Sequence, residues 1–237
     1  MYDDLYINTI MHNTEKFSSD TFINMVRGNG VFAEQAKALP MGAAYAKAIK
    51  VKGSLAVIFQ CGTERMDNPG YKITGDADLL KRVIVDMEGD MLILAENANL
   101  QPAHRITIYL RLPCPQQIIL EDQADCKITG ITPQNNPISI QTKGTSCLFL
   151  QGETKSYYAK LAGAGELRAE ELLVKDAELN ILGVGCVWAS VSEQVKIESD
   201  GPGDVVIYGN PKEKTLHATG AGSVIFMKPA LHMSTQK

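Results

Sequence analysis

Aromatic side chains are scarce in this chain, with six phenylalanines, eight tyrosines and a single tryptophan among 237 residues. Basic residues do not outnumber acidic ones, 23 against 27 for a net charge of −4. No arginine-rich run or basic aromatic cluster is present, so nucleic acid is excluded as an expected partner. No apolar stretch is long enough to span a bilayer, and Met1-Tyr2-Asp3-Asp4 lacks the basic start and apolar block of an export signal. The chain is therefore expected to be soluble, without a transmembrane segment or signal peptide, and a cytoplasmic location stays open. His12, His104, His217 and His232 are scattered, and Cys61, Cys114, Cys126, Cys147 and Cys186 contain no CxxC spacing. Neither a zinc site nor a nucleophile–base pair follows from them. Serine nucleophile elbows are missing. No catalytic residue, cofactor-binding residue, metal ligand or cofactor is assigned.

Glycine, in contrast, recurs in pairs through the second half: Gly163-Ala164-Gly165, Gly183-Val184-Gly185, Gly201-Pro202-Gly203 and Gly220-Ala221-Gly222. Their spacings of 20, 18 and 19 residues are those of a stacked structure and not of an isolated turn. None precedes an amphipathic helix or supplies the lysine and hydroxyl of a nucleotide loop. Degenerate copies stand at Gly144 with Ser146 and at Asp122 with Ala124. Four residues beyond each first slot come Cys126, Leu148, Leu167, Val187, Val205 and Val224. Two further on are Ile128, Leu150, Ala169, Ala189, Ile207 and Phe226. This period-two alternation reads as strands with one buried face. Ile118, Ile140, Ala159, Leu179, Ile197 and Leu216, four residues before the slots, form a second inward column.

The expected architecture is all-β: a right-handed parallel β-helix, or β-solenoid, of about 19 residues per coil. Each unit would run strand, Gly-x-Gly bend, strand and variable turn, the turns marked at Pro133 to Pro137 and at Gly209-Asn210-Pro211. The first half is less regular. Residues 51–59, 91–94 and 106–112 read as strands, and 78–84 as a short helical turn entering one. These longer strands are expected to begin and cap the solenoid, since an uncapped end leaves unpaired edges. The domain division is a polar extension over 1–24, a single domain over 25–228 (irregular to 115, regular from 116) and a tail over 229–237.

Cys147 and Cys186 share a column with one coil between them, so near 10 Å apart at about 4.8 Å per coil, beyond disulfide reach. Free thiols are expected. Their outward column, Asp125, Cys147, Glu166, Cys186, Asp204 and Ser223, also carries acids. An enzyme reading would pair Glu166 with Asp204 as the acid and base of a polysaccharide lyase or glycoside hydrolase. The alternative is structural: these acids accept hydrogen bonds from backbone N–H groups at the bends.

The other outward column is Lys127, Phe149, Arg168, Trp188, Val206 and Ile225. Stacked apolar residues there form a patch that soluble monomers seldom leave bare, and Arg168 can stack on either flanking ring. Phe149, Arg168, Trp188, Val206 and Ile225 are thus the candidate contact surface, for a homo-oligomer or partner protein or as a platform for a sugar ring. An intramolecular cover by the N-terminal segment or a loop is the third possibility.

The chain resembles the putative autotransporter adhesin "head GIN" domain family from about Gly28 to Lys228. The resemblance rests on Gly28-Asn29-Gly30-Val31-Phe32, on 45–53, on Asp76-Ala77-Asp78-Leu79-Leu80 and on Gly201-Pro202-Gly203-Asp204-Val205, in that order. The eponymous Gly-Ile-Asn is replaced by Gly53-Ser54-Leu55. What the resemblance implies is a parallel β-helix akin to pectate lyase folds, a bacterial cell-envelope or extracellular location, adhesion to a cell-surface protein or glycan, and no catalytic residues.

Overall fold

The computed structural model describes residues 25–62, 70–133 and 137–228. The extension over 1–24, the tail over 229–237 and the centre of the turn between Pro133 and Pro137 lie outside them. The strands are β1 (Met25–Arg27), β2 (Phe32–Ala38), β3 (Ala48–Gly53), β4 (Ala56–Cys61), β5 (Gly70–Asp76) and β6 (Val83–Glu88). There follow β7 (Met91–Glu96), β8 (Asn99–Gln101), β9 (Thr107–Leu112), β10 (Gln117–Asp122), β11 (Asp125–Ile131) and β12 (Ile138–Gly144). The remainder are β13 (Cys147–Gly163), β14 (Glu166–Ile181), β15 (Cys186–Ser199), β16 (Val205–Tyr208), β17 (Glu213–Ala218) and β18 (Val224–Met227).

β1 and β8 pair with each other, and the other sixteen strands join one sheet. That sheet is mixed. β2 runs antiparallel to β5, β5 antiparallel to β9, and β6 antiparallel to β7. The remaining pairings are parallel. The fold is thus a curled mixed sheet forming a half-barrel, and not the regular right-handed parallel β-helix, or solenoid, that the glycine spacing predicts. The departure has a local cause: Gly89 adopts φ 63° and, with Asp90, closes a two-residue hairpin that sets Glu88 opposite Met91. Register shifts also interrupt the β13–β14 and β14–β15 ladders.

Parallel alignment does run through the second half. Leu167, Val187 and Val205 lie on neighbouring strands in register. The sheet curls because β13 pairs with β11 through its opening residues and with β12 through its closing ones. Alternating side chains point into the concave side, where Leu148, Leu167, Val187, Leu179 and Ile197 have no exposed surface. The final member of each inward column departs from this: Val224 is half-buried, while Leu216 and Phe226 are 50% and 37% exposed. Among the described residues, β17 and β18 have no further strand beyond them to cover these side chains.

The 51–59 segment is two strands, β3 and β4, broken at Ser54 and Leu55. Residues 80–82 form the short helical turn expected before β6. At the glycine bends, close approach matters more than dihedral freedom. A Cβ on Gly183 would overlap the carbonyl oxygen of Gly163 on the adjoining strand.

Candidate functional site

The outward side chains of the curled sheet line up because each ladder keeps register. Lys127, Phe149, Arg168, Trp188, Val206 and Ile225 occupy consecutive strands, each directly beside the next. The row extends farther than the sequence indicates. Lys127 pairs with Ile58, Ile58 with Tyr109, and Tyr109 with Lys72. Nine strands therefore contribute one residue each to a strip roughly 38 Å long at inter-strand spacing. Lys72, Tyr109 and Ile58 escape a sequence reading because they come from strands that break the glycine spacing and, for β5, run in the opposite direction.

Cations and rings interleave along this strip. Lys72 Nζ lies 4.4 Å from the Tyr109 ring centre, Lys127 Nζ 5.3 Å from that of Phe149, and Arg168 Cζ 4.5 Å from that of Trp188. These are cation–π distances. Arg168 is further fixed by Glu170, whose Oε1 accepts from Nε at 3.0 Å and from Nη2 at 2.8 Å. The rings are half-buried by their neighbours, whereas Ile225 at the far end is 48% exposed. The strip offers apolar groups flanked by cations, of which Arg168 is paired with Glu170 and Lys72 with Glu34.

The adjacent acidic row has a structural use. Asp125 Oδ1 accepts the Cys147 N–H at 2.9 Å, and Asp204 Oδ1 accepts the Ser223 N–H at 2.8 Å, each tying one strand's start to the next. Asp125 also pairs with Arg105, Nη2 to Oδ2 at 2.6 Å. The Cys147 thiol is pushed up to about 12, by burial first and then by the carboxylates of Asp125 and Glu166. Among the described residues, no group of three or more His, Cys, Asp or Glu side chains is arranged to hold a metal ion.

A second feature surrounds Gly53-Ser54-Leu55. Lys52, Gly53, Glu96, Asn97, Ala98, Asn99 and Asp122 line an open depression of about 520 Å³. Ser54 donates to Glu96 Oε1 through both its N–H, at 3.1 Å, and its Oγ, at 2.7 Å, while Leu55 is fully buried. Burial pushes the Glu96 carboxyl up, and the Ser54 hydrogen bonds work against that shift. A Cβ on Gly53 would stand 2.8 Å from the Glu96 carboxyl carbon, so glycine is needed for this contact. Asp122, beside Gly53 in register, is the one non-glycine described residue with positive φ, at 64°.

This geometry has a family. The model of the family described as putative auto-transporter adhesin, head GIN domain, matches residues 46–211. The chain belongs to that family. The head GIN match spans both the depression and most of the strip. Among solved structures, a putative adhesin from Bacteroides fragilis NCTC 9343 is similar at TM-score 0.67 and 15% identity, over 85% of this chain and 100% of that one. At this identity the likeness concerns the fold. A putative lipid binding protein from Parabacteroides distasonis ATCC 8503 aligns at TM-score 0.49 and 15% identity, over 85% and 99%. A putative adhesin from Parabacteroides merdae ATCC 43184 aligns at 0.48 and 13%, over 86% and 100%. Among curated proteins, none matches this chain. No helix among the described residues is long and apolar enough to cross a membrane.

Proposed function

We propose that this head GIN domain is a non-catalytic binding module of the bacterial cell envelope, and that the strip from Lys72 to Ile225 is its contact surface. The observation that carries this reading is the set of three cation–ring pairs within one in-register row of nine strands. Protein is favoured over sugar as the partner by the setting of the rings. Lys127 lies over the Phe149 ring and Arg168 over the Trp188 ring, so cations already occupy a face that a stacked sugar would need. What remains presented are ring edges, aliphatic tips and cations, the groups enriched at protein interfaces.

This reading takes a second copy of the chain as the partner, joined strip to strip in homotypic adhesion. Beads coated with the full chain are expected to clump, and beads coated with Trp188→Ala to stay dispersed at equal loading. Equal clumping by both would remove the strip from the contact. The acidic row supports no reaction in this account, since Asp204 is held by the Ser223 N–H.

A further inference from the structure

The end of the curled sheet at β17 and β18 carries one residue that breaks its column. Ile138, Tyr157, Ala177 and Val195 stand on successive strands in register, all buried. The next position, beside Val195 on β17, is Lys214, which shares their inward side. Phe226 ends the facing column in the same way, after the buried Ala189 and Ile207. β17 joins the closing half of β15, whereas β18 joins β16, which joins the opening half of β15, so the two strands end opposite walls of the trough. Lys214 Nζ lies 4.7 Å from the Phe226 ring centre, and its side chain spans the mouth from wall to wall. Among the described residues no strand pairs with the outer side of β17 or β18, and Leu216 and Phe226 stand exposed there. Such an edge is a template for another chain, and an inward-pointing charge is one way in which proteins block it.

We propose that Lys214 guards this end, preventing β17 and β18 from pairing edge to edge with a second copy of the chain. The inward side chains at the mouth are Lys214, Leu216, Ala218, Val224 and Phe226, and none of them is a carboxylate. Edge pairing would seal the mouth and bury the Lys214 ammonium among apolar groups, a desolvation cost that opposes the gain in strand hydrogen bonds. In the single chain the same amine rests on the Phe226 ring and keeps its contact with water. The guard is separate from the strip. Lys214 shares the inward side of Val195 while Trp188 lies in the outward row, so it acts whatever partner the strip takes.

The test is sedimentation velocity of the full chain in the Trp188→Ala background, which takes the strip contact out of the comparison. Adding Lys214→Val, which restores the side chain of the preceding column member, should tighten self-association by about tenfold or more over Trp188→Ala alone. Adding Lys214→Arg keeps the inward charge and should change nothing. Adding Thr215→Val places the same apolar group on the outward side of β17 and should also change nothing. A Lys214→Val double variant that sediments like Trp188→Ala would overturn the proposal, as would equal association by the Lys214→Arg or Thr215→Val double variants. Each comparison is made against Trp188→Ala, so self-association of Trp188→Ala itself counts against the strip and not against the guard. Lys214 and Thr215 are both exposed, and neither substitution removes a core contact that folding needs.

Discussion

The imidazole Nδ1 of His104 lies 2.8 Å from Oδ1 of Asp76, a carboxylate with no exposed surface. The N–H of Ala103 reaches Oδ2 at 2.7 Å and that of His104 reaches Oδ1 at 3.2 Å. Gly28 packs so closely that any Cβ there would overlap the carboxylate. Asp76 thus ties the end of β5 to the segment entering β9, and it lies in the Asp76-Ala77-Asp78-Leu79-Leu80 stretch that carries the family resemblance.

Burial alone would push the Asp76 carboxyl up, but the hydrogen bonds from the His104 ring and the two N–H groups outweigh it and hold it below the usual carboxylate range. The ionised form is therefore favoured in the folded chain. Its contribution to stability is complete above the unfolded value of about 3.9 and is lost as pH falls through the lower folded value. Thermal melts should show a drop in Tm below about pH 4 that is smaller in Asp76→Asn. At neutral pH that variant should be destabilised by about 1–3 kcal/mol, since its amide cannot accept at both positions. Parallel pH profiles for the two proteins would refute the assignment.

The inward columns predict a graded response. Leu179→Ala should cost about 2–5 kcal/mol by emptying a sealed site. Val187→Asp, which buries a carboxylate without a partner, should prevent folding at ambient temperature. Leu216→Ala, at the same column position as Leu179 but half-exposed, should cost under about 1 kcal/mol. Urea melts rank the three, and an equal cost at Leu179 and Leu216 would contradict the burial pattern.

Glycine positions divide the same way. Gly183→Ala drives a methyl group into the Gly163 carbonyl and should destabilise severely. Gly30→Ala meets open space and should lose only about 1 kcal/mol, from the strain of alanine at φ 70°. Similar melting temperatures for both variants would mean that the strands are farther apart at Gly183 than described.

Period-two alternation makes the inward face legible from Cys126 to Ile207 because those strands have a covered side and neighbours on both flanks. It misleads at Leu216 and Phe226, where the pattern persists but the covering strand does not. Strand direction is a different matter. Spacing along a chain records how far apart two segments are and not which way each runs, so antiparallel β2, β5 and β6 are invisible in it. Only the Gly89-Asp90 pair, a short-hairpin signal between Val83–Glu88 and Met91–Glu96, marks one reversal locally. The same limit hides Lys72, Tyr109 and Ile58 from the strip, since each pairing depends on first-half register.

Sedimentation velocity of the full chain over a range of concentrations, with Trp188→Ala beside it, tests the assignment of the strip most directly. Wild type should sediment faster as concentration rises, while Trp188→Ala, with an unchanged circular dichroism spectrum, should remain at the monomer value. Coincident profiles for the two proteins would contradict the claim that this face joins one copy to another.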